Sequence, residues 1–89
     1  MKTFFTKEFK KAYTKRIAPK KNLAARFESR YDLFLEDQTN QILKDHALSG
    51  KMSGFRAFSI TGDIRVVYYI QDETAYFVDI GTHNQVYGK

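Results

Sequence analysis

The chain has 89 residues, 43% hydrophobic and 28% charged, with no cysteine and a formal net charge of +5. That length leaves room for one hydrophobic core and no second domain, and the absence of thiols excludes a disulfide framework, a thiolate nucleophile and a Cys-ligated metal. No apolar run reaches the length of a signal-peptide core or a membrane span, which predicts a cytoplasmic protein with no membrane partner.

Thr3–Phe5 predicts a short edge strand. Thr6 stands where it can cap a helix over Lys7–Arg16, with Phe9, Ala12 and Tyr13 on one face, and Pro19 stops that helix. A second helix over Asn22–Asp37 places Leu23, Phe27, Tyr31 and Phe34 on one side, while Ala24, Ala25 and Glu28 raise its propensity. Residues 1–30 hold ten Lys/Arg against Glu8 and Glu28, whereas from Tyr31 onward eight acidic residues face five basic ones. A basic half of this kind favours an anionic polymer as partner, because each neutralised phosphate releases condensed counterions. Solvation of two helix faces is the plainer use of the same lysines.

Asp45–Gly54, with Gly50, Ser53 and Gly54, reads as a connecting loop. From Phe55 the period becomes two. Phe55–Ile60, Ile64–Gln71 and Thr74–Ile80 predict strands, and Thr61-Gly62-Asp63 and Asp72-Glu73 are short enough to make hairpins of them. Parity assigns Phe58, Ile60, Ile64, Val66, Tyr68, Ile70, Tyr76, Val78 and Ile80 to the face under the helices. Phe55, Ala57, Ser59, Arg65, Val67, Tyr69, Gln71, Ala75, Phe77 and Asp79 fall on a mixed opposite face. The expected architecture is α+β, a single domain over 1–89, with two N-terminal helices packed on one face of a small antiparallel β-sheet. The other face is then free to serve as a platform for a single-stranded ligand.

The nucleotide-binding loops, the dinucleotide glycine fingerprint, His-Glu-x-x-His and the nucleophile elbow are all absent, so ATP, nicotinamide, zinc-protease and α/β-hydrolase chemistry lose their usual support. His46 and His83 are the only histidines, and they bracket Arg65; Tyr87 follows the second by four residues. Two proton carriers, a fixed cation and an aromatic ring are the residue types that metal-free RNA cleavage uses. A metal held by the histidines with Asp63 or Asp79 lacks the helical spacing that such sites favour.

Asp45-His46, Gly54-Phe55-Arg56, Asp63-Ile64-Arg65-Val66-Val67-Tyr68 and Ile80-Gly81-Thr82-His83 with Val86-Tyr87 resemble, in order and spacing, the RelE/YafQ family of toxins from toxin–antitoxin pairs. The match runs from Leu43 to Gly88, with only a helix-pattern likeness before it. The resemblance implies the RelE-like toxin fold and an endoribonuclease that cuts messenger RNA on the ribosome by 2′-hydroxyl attack on the adjacent phosphate. It implies no metal and no cofactor. A cognate antitoxin would neutralise the protein and provide its only link to DNA.

By the same resemblance, His46, Asp63, His83 and Tyr87 correspond to active-site positions of YafQ-like members, and Arg65 to the strand arginine of RelE-like members. Lys10, Lys11, Lys51, Arg56 and Ser59 are the expected RNA contacts, with the basic helices docking on ribosomal RNA. Two positions depart from the pattern. Ser59 stands where YafQ-like proteins carry a further histidine, and Asp79 where they carry an arginine.

Each residue also has a structural reading. His46 would end a loop, His83 cross-link a turn, Tyr87 pack the C-terminus and Asp63 fill the turn after Gly62, while Arg65 would pair across strands with Asp79 or Asp63. The competing functions are a ParE-like gyrase-inhibiting toxin, which shares the fold and usually lacks the histidines, and a non-catalytic RNA- or protein-binding module.

Overall fold

The computed structural model describes residues 1–88. The chain runs β1 (Lys2–Phe5), α1 (Lys7–Arg16), α2 (Lys21–Glu36), β2 (His46–Ala47), β3 (Arg56–Ser59), β4 (Ile64–Gln71), β5 (Thr74–Thr82) and α3 (His83–Tyr87). Thr6 makes the first junction. Its hydroxyl accepts the Phe9 N–H at 3.2 Å and donates to the Phe77 carbonyl at 2.7 Å, so one side chain caps α1 and pins it to β5.

The sheet order is β1-β5-β4-β3-β2. β1 runs parallel to β5, pairing Lys2 with Thr74 through Phe5 with Phe77, and the remaining neighbours are antiparallel. The sheet is therefore mixed rather than wholly antiparallel, because the N-terminal strand fills half of the edge that the meander leaves open. The segment read as a loop over Asp45–Gly54 supplies the fifth strand, β2, paired through His46 with Ala57 and Ala47 with Arg56.

On β5 the expected parity is wrong. Val67 pairs with Asp79 and Tyr68 with Phe77, which leaves Val78 as the extra residue of a bulge. The bulge reverses the faces on its N-terminal side. Ala75 and Phe77 are wholly buried under the helices, while Tyr76 turns to the other face and stacks on Tyr69 at 5.0 Å between ring centroids. Ile70 also departs from expectation, at 42% exposed.

The core is largely aromatic. Phe34 stacks on Phe58 at 4.7 Å, and Phe77 meets Phe5 at 5.3 Å and Phe9 at 5.4 Å; such pairs add about 0.5–1.5 kcal/mol each beyond their buried area. Tyr68 carries a hydroxyl into this interior, where an unpartnered oxygen would be costly. It is satisfied. Gln38 Nε2 donates to it at 2.8 Å, and the hydroxyl donates to Asp45 Oδ2. The other Asp45 oxygen accepts from Arg56 Nε at 2.8 Å and Nη2 at 2.6 Å, with only 4% of the Asp45 side chain exposed. This network anchors a two-residue strand that backbone pairing alone would hold weakly, and thereby places His46. Burial, reinforced by Asp45, raises the Tyr68 phenol well above its ordinary range. Among the described residues no helix is long and apolar enough to cross a membrane.

Candidate functional site

The face opposite α1 and α2 is built around the turn from β5 into α3. Thr82 caps the short helix: its hydroxyl accepts the Gln85 N–H at 3.2 Å, and its own N–H donates to Gln85 Oε1 at 2.8 Å. Gly81 makes that fold-back possible. A Cβ there would stand 2.6 Å from Gln85 Oε1 and 2.9 Å from Arg16 Nη1. Val86 is buried and α3 lies against β4 and β5. Ala57 and Val67, also fully buried yet outside the main core, belong to this second apolar layer.

α3 brings His83 and Tyr87 one turn apart, with ring centroids 4.8 Å from each other. Arg65 rises from β4 toward both. Its Nη1 lies 3.4 Å from His83 Nδ1, and its Cζ lies 5.9 Å from the centre of the Tyr87 ring. A guanidinium only donates, so His83 presents an unprotonated Nδ1 in this contact. Arg65 Nε and the Tyr87 hydroxyl are buried with no hydrogen-bond partner among the described residues, an unusual pairing of unmet groups. Burial raises the Tyr87 phenol and Arg65 works against the rise.

The pairings His46–Ala57–Val67 and Ser59–Arg65–Gly81 put His46 and Ser59 on the same face as Arg65. His46 is exposed at the sheet edge, two strands and one pleat from Arg65, roughly 12 Å by strand spacing. Its Nδ1 lies 2.9 Å from the Lys44 carbonyl. A carbonyl only accepts, so Nδ1 carries the hydrogen and Nε2 is the nitrogen free to react.

The remaining expected residues stand apart. Asp63 is exposed in the β3–β4 turn, where its N–H donates to Thr61 Oγ1 at 3.1 Å. The expected cross-strand pair between Arg65 and Asp79 does not form: Asp79 Oδ1 is held by Arg16 Nη1 at 3.1 Å, which also donates to the Ile80 carbonyl at 3.0 Å. β1 stops short of this stretch of β5, and Arg16 satisfies the edge instead. Among the described residues Arg65 has no ion-pair partner. Arg56, an expected RNA contact, has its guanidinium committed to Asp45. Lys10 and Lys11 are exposed on α1, in the other layer, and Lys51 is exposed in a 3-10 turn over Gly50–Met52.

Sequence reading passed over three further cations. Arg26, Arg30 and Lys44 line a groove with Arg65 and Ser59. The available signal was the i, i+4 spacing of the two arginines with no acid within helical reach.

A donor-only cation, an imidazole with a free basic nitrogen and a phenol in one cluster can bind phosphate oxygens and move a proton beside them. The family described as "bacterial toxin of type II toxin-antitoxin system, YafQ" matches residues 1–88. No curated protein matches the sequence. Among solved structures, YafQ from E. coli strain BL21(DE3) is similar with a TM-score of 0.79 at 20% identity, covering 97% of each chain. The E. coli DinJ-YafQ toxin–antitoxin complex is similar with a TM-score of 0.76 at 21% identity, covering 97% of this chain and 96% of the other. The RelBE2 toxin–antitoxin complex of Mycobacterium tuberculosis gives 0.69 at 20% identity, over 92% and 96%.

Proposed function

Because the chain belongs to the YafQ family of bacterial toxins of type II toxin–antitoxin systems, we propose that it is an endoribonuclease that cuts messenger RNA held by the ribosome. A cognate antitoxin keeps it inactive. The observation that carries the reading is the cluster of Arg65, His83 and Tyr87 on the open sheet face, with the guanidinium committed to no carboxylate among the described residues.

In this reading the scissile phosphate binds Arg65, whose planar fork suits two phosphate oxygens and holds the charge of the phosphorane. His83 Nδ1, released from Arg65 by the incoming phosphate, takes the proton of the ribose 2′-hydroxyl. The 2′-oxygen bonds to phosphorus, the bond to the 5′-oxygen breaks, and the leaving oxygen takes its proton from a bridging water, which His46 resupplies when it enters as the imidazolium with Nε2 protonated as well as Nδ1. The products are a 2′,3′-cyclic phosphate and a free 5′-hydroxyl. Tyr87 offers its ring to a base, and Ser59 lies directly across from Arg65 as a further donor. The scheme assigns Asp63 no direct step.

Adding purified protein to a translation extract and mapping message ends tests the proposal, with Arg65→Ala and His83→Ala as controls. New ends that require ribosomes and vanish in both variants are expected. Changed DNA supercoiling with intact message would point to gyrase instead, and translational arrest without new ends to a binding module.

A further inference from the structure

We infer that the groove between α2 and the β3–β4 turn is a second phosphate-binding subsite, which holds the message backbone on one side of the scissile phosphate. The inference rests on the ribonuclease reading for the identity of the strand. The groove has a volume of about 350 Å³ and is lined by Arg26, Arg30, Lys44 and Arg65, with Ser59 and Thr61 among its neutral residues and no acidic one. Among the described residues none of the four cations is in an ion pair.

Arg26 and Arg30 are one helical turn apart on α2, and no Asp or Glu occupies the i±3 or i±4 position of either. Like charges at that spacing oppose helix formation. Lys44 adopts a left-handed backbone conformation at φ 51°, which a side chain other than Gly, Asn or Asp takes up at a cost. Its carbonyl orients His46, so it joins the groove to the open face. The Thr61 hydroxyl accepts the N–H groups of Asp63 and Ile64 at 3.1 and 2.9 Å, which leaves its own proton to donate. The Arg26–Arg30 juxtaposition, unfavourable in the free protein, becomes favourable once an anion enters, and Thr61 has a proton to give it. Arg65 lines both this groove and the cluster with His83, so a strand engaging it at one phosphate has the groove cations beside it for the next.

The test uses the full chain carrying His83→Ala, so that RNA survives, and a fluorescein-labelled single-stranded RNA hexanucleotide. Binding is measured between about 50 and 200 mM salt. Adding Arg26→Ala, Arg30→Ala and Lys44→Ala together is expected to reduce the slope of log K against log salt by about 2, at roughly 0.7 per phosphate contact on a single strand. Lys2→Ala, Lys7→Ala and Lys20→Ala, which remove the same charge from exposed positions outside the groove, are expected to leave the slope nearly unchanged. Equal slopes for the two triple variants would overturn the subsite. A loss of affinity for ribosomes without message equal to that for ribosomes carrying it would assign the groove to ribosomal RNA and overturn the message assignment. If the unmodified chain cuts no message while the groove variant still loses the hexanucleotide, the nuclease reading fails and the subsite stands. An unchanged melting midpoint excludes misfolding as the cause.

Discussion

Arg65 touches His83 through Nη1 at 3.4 Å while its guanidinium carbon stands 5.9 Å from the centre of the Tyr87 ring. The cation thus meets a nitrogen that can take a proton and a ring that can carry a base. Arg65→Lys keeps the charge and loses the plane. Message cleavage is expected to fall about 10²–10³-fold, the loss typical of one transition-state donor. Time courses of message end formation give the answer, and full activity in the lysine variant would mean that a point charge suffices.

Tyr87 separates ring from hydroxyl. Its oxygen is buried without a partner among the described residues, and burial raises the phenol from its ordinary value. Tyr87→Phe is expected to leave stability unchanged or raise it by about 1 kcal/mol, because an unmet buried polar group is removed. Tyr87→Ala is expected to cost more cleavage than Tyr87→Phe, since base stacking is worth about 1–3 kcal/mol. Urea midpoints and cleavage rates of the two variants distinguish these effects.

The Asp45 network gives a pH-dependent prediction. Tyr68 ionises at a higher pH folded than unfolded, so its contribution is complete below about pH 10, the ordinary tyrosine value, and is lost as pH rises through the folded value. Urea midpoints should fall above pH 10, and less steeply in Tyr68→Phe. Asp45→Ala removes a partner from the Tyr68 hydroxyl and from an Arg56 that keeps access to water, and is expected to cost about 1–3 kcal/mol.

Gly81→Ala tests the turn into α3. The added methyl collides with the Gln85 side chain and with Arg16, and the lost cap costs about 1 kcal/mol. The sheet is expected to survive while α3 frays. Cleavage should drop sharply with the melting midpoint shifted by only a few degrees, as calorimetry beside the cleavage assay would show.

Asp72 and Glu73 both have positive φ, 52° and 62°, in the β4–β5 hairpin. Two such residues make the turn that favours Asn-Gly or Asp-Gly. Glu73→Gly is expected to stabilise the fold by about 1 kcal/mol, which for a chain of this size raises the melting midpoint by about 4–8 °C. Thermal unfolding followed by circular dichroism is sufficient.

α1 and β4 were readable to the residue, because Thr6 marks one start and two turn segments bound the β-branched and aromatic run of the other. β5 was not. Both parities of Ala75–Ile80 contain apolar residues, so alternation could not reveal that Val78 is a bulge. β2 has two residues and α3 five, too few for any period to register. Of the residues singled out for a site, Arg65, Ser59 and His46 share a face because strand parity on β3 and β4 holds. Asp79 was misjudged for a different reason. Its partner Arg16 lies 63 positions away in the chain, and neither residue carries a local sign of the other.

The parallel pairing of Lys2–Phe5 with Thr74–Phe77 joins the first strand to the last. A nascent chain has nothing to zip its opening segment against until Phe77 has emerged, and such distant pairings form slowly. A protein wired this way closes its sheet only after β5 has formed, so that strand keeps an open edge until the two ends of the fold meet.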